Sequence, residues 1–177
     1  VEFISLFRKY ILFNLRIINQ IYNKLNEKFN GNLFCLFFNI KSKLTKKDVV
    51  FSVNKVDLSY IAVSKTYKRF FYAKKQNIMA YSKGIRERGK DLGNVYMLDS
   101  INFKSGDVVI DCGANIGDLE IYFKEKKLDI DYVAFEPSPL EFRCLNNNLL
   151  LQKSKCFNYA LFDKEDIMKF YISSEFG

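Results

Sequence analysis

The residues most suited to chemistry lie between Gly106 and Pro139, which reads GDVVIDCGANIGDLEIYFKEKKLDIDYVAFEPSP. Asp111 closes the apolar run Val108-Val109-Ile110, and the loop Gly113-Ala114-Asn115-Ile116-Gly117 follows it. Glycines let a backbone come close to a ligand, and the helix expected after the loop offers unpaired N–H groups at its start. Glu136 closes a second apolar run, Tyr132-Val133-Ala134-Phe135, 23 residues after Gly113. An acid roughly 20 residues beyond such a loop is placed to accept hydrogen bonds from ribose hydroxyls. Together these residues describe a pocket for an adenosine group at the carboxyl ends of two neighbouring strands.

The spacing narrows the ligand. A dinucleotide loop has the form G-x-G-x-x-G/A, whose middle glycine admits the pyrophosphate. Here the pattern is Gly113-x-x-x-Gly117, with Asp111 two residues ahead of the first glycine. An acid at that point repels a pyrophosphate and suits a ligand with a positively charged amino group, such as S-adenosylmethionine. No Gly-Lys-Ser/Thr completes a nucleotide phosphate loop. The chain has no histidine, which removes Ser-His-Asp and Cys-His catalysis and His-ligated zinc or haem. Cys35, Cys112, Cys144 and Cys156 form no C-x-x-C pair. They read as reduced thiols of a cytoplasmic protein, and no metal site is expected.

These residues need strands and helices to hold them. Val108–Ile110, Tyr132–Phe135, Cys156–Leu161 and Ile167–Ile172 read as strands. Asp118–Lys127 and Pro139–Gln152 read as helices. This alternation predicts an α/β fold with a mostly parallel sheet and helices on both faces. Strand alternation points Cys112 into the core. Asp118 and Glu120 read as acids on the first turns of a helix, favoured there by its dipole. A general-base role for Asp118 is chemically conceivable, and no residue is assigned as catalytic.

The first hundred residues are of a different kind. Ile4, Phe7, Ile11, Leu15, Ile18, Tyr22, Leu25 and Phe29 recur at steps of three and four, the stripe of an amphipathic helix over 3–29 ended by Asn30-Gly31. Leu33–Ile40 is a short apolar run of ambiguous type, followed by a basic linker over 41–47. Strand-like patches stand at 49–51, 60–63 and 69–72, with the aromatic cluster at 70–72 read as strand packing. Residues 82–97 read as helical through Ile85, Arg86, Leu92 and Tyr96.

At the Gly106–Pro139 residues the sequence resembles the FkbM-type S-adenosylmethionine-dependent methyltransferases. VVIDCGANIG, AFEPSP and NYALFDKEDIMKFYIS carry the likeness, which covers about residues 68–177. It implies a partial Rossmann-like class I methyltransferase domain over 68–177, preceded by a helical and mixed arm over 1–67. It also implies S-adenosylmethionine as cofactor and methyl transfer to a hydroxyl oxygen, on a sugar or other small metabolite. By the same resemblance Asp111 orients the amino-acid end of the cofactor, Gly113, Ala114 and Gly117 line its methionine portion, and Asn115 braces the turn. Glu136 holds the ribose diol, and Pro137 and Ser138 shape the adenine edge. Asp166 stands where the family has a glycine, and the family's pattern runs on past the position of Gly177. A truncated domain, with its first strand lacking a neighbour on one side, is therefore expected.

Composition separates the rival readings. With 49 % hydrophobic residues, 8 Gly and 2 Pro, the chain is neither disordered nor low-complexity. Residues 101–177 carry 9 Lys and Arg against 13 Asp and Glu, leaving the first hundred with 19 against 7. The basic half could meet an anionic partner. A non-catalytic module docking on a membrane or partner through helix 3–29 is the alternative function. The acidic balance after residue 100 speaks against nucleic acid.

Overall fold

A computed structural model describes residues 31–72, 74–164 and 166–167. The helix expected over 3–29 lies outside them, as does the strand expected over 167–172 apart from Ile167.

Gly31, at φ +67°, leads into helix α1, Asn32–Leu44. Phe34, Cys35, Phe38 and Ser42 recur at helical spacing along its buried side. The ambiguous apolar run is thus helical, and the helix continues into the basic stretch. Lys41 and Lys43 sit in its last turn, where cations offset the dipole. Burial holds the Cys35 thiol at about 11, far from reactive.

Strands β1 (Val50–Val53), β2 (Tyr60–Val63) and β3 (Lys68–Phe71) form an antiparallel sheet in that order. Register aligns Phe51 with Ala62 and Arg69, and Val53 with Tyr60 and Phe71. One face therefore carries nearly all the buried side chains, among them Phe51, Tyr60, Ala62 and Phe71. Phe38 of α1 meets Phe51 edge-on at 5.7 Å, and Tyr60 stacks on Phe71 at 5.7 Å. The expected division between residues 67 and 68 falls at the start of β3, inside this sheet.

Helix α2 (Lys74–Tyr81) and helix α3 (Ile85–Val95) lead to a 3₁₀ turn at Leu98–Ser100. Strands β4 (Val108–Cys112), β5 (Asp131–Phe135) and β6 (Lys155–Phe157) then make a parallel sheet in that order. Helix α4 (Leu119–Glu125) connects β4 to β5, and helix α5 (Pro139–Asn148) connects β5 to β6. This is the α/β class expected, a β-α-β-α-β unit of Rossmann-like type.

Three expectations are corrected here. Both crossover helices pack on one face of the parallel sheet, through Val109, Tyr132 and Ala134 against Leu119, Phe142 and Leu145. The other face has no described helix over it: Val108 is 62 % and Ile110 59 % exposed. Cys112 shares that face by its period of two, so it is exposed rather than core. β6 ends at Phe157, short of the expected Leu161. β4 is an edge strand among the described residues.

Helix α3 lies unusually close to α4, and two glycines allow it. A Cβ at Gly89 would stand 2.6 Å from Ile121 Cγ2, and one at Gly93 would stand 2.3 Å from the Tyr122 ring. Ile85, Gly89 and Gly93 form the buried stripe of α3. The neighbouring stripe, Arg88, Leu92 and Tyr96, turns toward the loop after β4.

Candidate functional site

β4 and β5 set Asp111 and Glu136 at the carboxyl ends of adjacent strands, with Asp111 aligned to Ala134. Asp111 sits at the end of the covered face and accepts a hydrogen bond from the Tyr132 hydroxyl. Burial raises its carboxyl above the usual aspartate value, and the Tyr132 hydrogen bond offsets part of that rise. The same arrangement pushes the Tyr132 hydroxyl well up, through burial first and the Asp111 charge second.

The loop after Asp111 reverses through three residues of positive φ: Gly113 at 80°, Asn115 at 50° and Gly117 at 78°. The N–H groups of Gly113 and Ala114 both donate to the Phe135 carbonyl, at 2.9 and 3.0 Å. The Asn115 N–H donates to Glu136 Oε2 at 2.8 Å, and the Gly117 N–H to Ala114 O at 2.8 Å. These four amides are committed inside the protein. The Gly113 carbonyl, by contrast, accepts no described hydrogen bond, and a Cβ added there would meet nothing within 4 Å. The loop therefore presents open space and an acceptor. That suits an ammonium group and fits a phosphate poorly.

A cleft opens at this point. Asp111, Gly113, Ala114 and Asn115 line one wall, and Arg88, Leu92 and Tyr96 of α3 line the other. The remaining expected residues stand behind the loop. Gly117 is buried, and a Cβ on it would lie 2.7 Å from Leu145 Cδ1. Glu136 is 7 % exposed and accepts one backbone N–H on each oxygen, from Asn115 and from Ser138, both at 2.8 Å. Ser138 starts α5, and its hydroxyl donates to Glu141. Asn158 Nδ2 donates to the Glu136 and Pro137 carbonyls at 2.8 and 3.1 Å. Glu136, Pro137 and Ser138 thus brace the loop from outside the cleft lining.

Asp118 is not a lone helix-start acid. It is 5 % exposed, with no cap hydrogen bond of its own. Arg69 Nη2 donates to its Oδ1 at 3.1 Å, the Tyr81 hydroxyl to the same oxygen at 2.5 Å, and Arg88 Nε to its Oδ2 at 3.1 Å. An acid held by three donors is a poor general base. Arg69 is fully buried and also donates to Asn148 O at 2.6 Å and Ile116 O at 2.9 Å. This network ties β3, α2, α3, α5 and the loop together. Sequence reasoning missed Arg69, Arg88, Leu92 and Tyr96. The i, i+4, i+8 spacing of the last three was the available signal.

Glu120 is likewise buried, at 0 % exposure, and accepts from the Leu150 N–H at 2.7 Å and from the Ser154 hydroxyl. Burial raises its carboxyl above the ordinary value of 4.5, against the pull of those hydrogen bonds. A raised acid favours folding below its unfolded value and loses that contribution as pH rises through its folded value. The stability of Glu120→Gln relative to wild type should therefore improve as pH rises above the ordinary glutamate value of 4.5. Urea unfolding at several pH values reads this out, and a flat difference would show that Glu120 titrates as an exposed acid.

Among the described residues no cluster of three or more Cys, Asp and Glu could hold a metal ion, and no helix is long and apolar enough to cross a membrane.

No family model matches the chain. The methyltransferase sdnD of Sordaria araneosa is 32 % identical over 94 residues, 53 % of this chain and 30 % of that protein. The chain thus matches less than a third of that relative's length. Among solved structures it is similar to P. horikoshii TYW2 in complex with MeSAdo, with a TM-score of 0.40 and 17 % identity, covering 71 % of this chain and 47 % of that one.

Proposed function

We propose that this chain is the cofactor-binding part of an S-adenosylmethionine-dependent methyltransferase of the FkbM type. It would transfer the methyl group to a hydroxyl of a sugar or other small metabolite, in the cytoplasm. The observation that carries the reading is the pairing of Asp111 with the open, unsatisfied carbonyl side of Gly113 in one cleft. The partial likeness to a methyltransferase over 94 residues supports it.

The residues fit the cofactor. Asp111 and the Gly113 carbonyl are acceptors suited to an α-ammonium group. Each oxygen of Glu136 holds one backbone N–H, so its part is to fix the loop that faces the cofactor. Ser138 fixes where Glu136 points through its N–H on Oε1. Gly117 lets α5 close under the loop, and Asn115 locks the turn onto Glu136. When bound, the cofactor supplies an electrophilic methyl on a sulfonium. The chain's own part is to hold that group in one orientation and keep water away, the main source of rate in a bimolecular transfer.

Titration calorimetry with S-adenosylhomocysteine tests the reading. Binding is expected, and Asp111→Ala should weaken it at least about tenfold, the worth of a charge-assisted hydrogen bond. Absence of binding, or equal binding by the variant, contradicts it. For the acceptor, tritium from the labelled methyl group should appear on free sugars rather than on protein.

A further inference from the structure

We infer that Arg88, on helix α3, is the carboxylate-reading residue of the cleft, and that it selects cofactors carrying an intact amino-acid end. This deepens the proposed function and rests on it.

The argument starts from donors. An amino-acid group is a zwitterion, so a site that binds it must supply acceptors for the ammonium and donors for the carboxylate. Asp111 and the Gly113 carbonyl supply the acceptors. Four of the five loop amides are spent, Gly113 and Ala114 on Phe135 O, Asn115 on Glu136 and Gly117 on Ala114 O, which leaves the Ile116 N–H. One neutral amide is a weak match for a carboxylate, and a charged side chain is the stronger donor.

Arg88 is the cation on the cleft wall. Its Nε donates to Asp118 Oδ2 at 3.1 Å, which fixes the plane of the guanidinium. No described acceptor takes its Nη groups, and the side chain is 31 % exposed, open to a ligand. Charge agrees. Asp118 carries one negative charge against Arg69 and Arg88, so the cluster keeps one positive charge beside Asp111. Arg69 is wholly buried, with its Nη groups turned to the Asn148 and Ile116 carbonyls and Asp118, which leaves Arg88 to face the cleft. The fork geometry of a guanidinium suits a carboxylate better than a lysine would. The close contact of α3 with α4 at Gly89 and Gly93 keeps this residue at a fixed distance from the loop.

Calorimetry with three ligands tests the assignment: S-adenosylhomocysteine, its decarboxylated analogue, which keeps the amine, and methylthioadenosine, which lacks the amino-acid end. In wild type, removing the carboxylate should cost about 10- to 100-fold in affinity, the range for a hydrogen bond to a charged group. Arg88→Met should lose a similar factor for S-adenosylhomocysteine and bind the other two about as wild type does. Arg88→Lys should fall between. Asp118 keeps Arg69 and Tyr81 in these variants, and circular dichroism checks the fold. Equal affinity of wild type for the carboxylated and decarboxylated ligands overturns the assignment whether or not the variant folds. So does an equal loss for all three ligands in a folded Arg88→Met. A wild type that binds none of them overturns the cofactor reading itself.

Discussion

Arg69→Met should lower the unfolding free energy by about 3–5 kcal/mol, the usual cost of removing one partner from a buried ion pair. Arg69 has no exposed surface, and its two Nη groups serve Asp118, Asn148 O and Ile116 O. Methionine fills part of the volume, leaves the Asn148 carbonyl without the Arg69 donor and Ile116 O with only Asn148 Nδ2 at 2.9 Å, and leaves Asp118 short of a charge. Asn148 lies beside it and bonds both polar groups of Phe70, at 2.7 and 2.9 Å, so the join between β3 and α5 loosens with it. The effect should appear in urea unfolding as a drop in midpoint. The exposed pair Lys83–Asp91, at 3.2 Å, is the control, and removing it should change little. A small change in Arg69→Met would mean that the antiparallel sheet and the parallel sheet are not held together through this network.

Gly117→Ala should be the second large effect, a loss of about 2–4 kcal/mol. Two costs add. The residue sits at φ +78°, where a side chain is strained, and its Cβ would lie 2.7 Å from Leu145 Cδ1 in the core beneath α5. Gly113→Ala separates the terms. It has the same sign of φ, at 80°, and open space around its Cβ. It should lose only about 1–2 kcal/mol of stability, the strain alone, while the new methyl occupies the cleft and weakens S-adenosylhomocysteine. Thermal unfolding and calorimetry on both variants should therefore rank them oppositely: Gly117→Ala worse in stability, Gly113→Ala worse in binding relative to stability. The same ranking in both assays would show that Gly113 does not border the ligand.

The parallel strands, the crossover helices and the glycine loop were legible because each is a local pattern. Val108–Ile110 and Tyr132–Phe135 are wholly apolar runs, and Asp111, Gly113, Gly117 and Glu136 mark their ends. What was not legible depends on which neighbour arrives. Arg69 shares a face with Phe71 by strand alternation, yet an arginine in a strand reads as solvent-facing until Asp118 is seen opposite it. Glu120 fits a helix-dipole acid by position and is buried because Leu150 and Ser154 come round to meet it. Cys112 was placed in the core on the assumption that both sheet faces are covered, and the described residues cover one. Arg88 carries no signal of its own in the sequence. Its neighbours at i+4 and i+8, and the glycine stripe that draws α3 onto α4, give it a place in the cleft.

The most direct measurement is an amide NMR titration of the chain with S-adenosylhomocysteine. The account predicts saturable shifts concentrated at Gly113, Ala114, Asn115 and Ile116, with the Arg88 side-chain Nε–H moving alongside them. Saturable shifts centred elsewhere, or none at these residues at a concentration that saturates calorimetry, would contradict it.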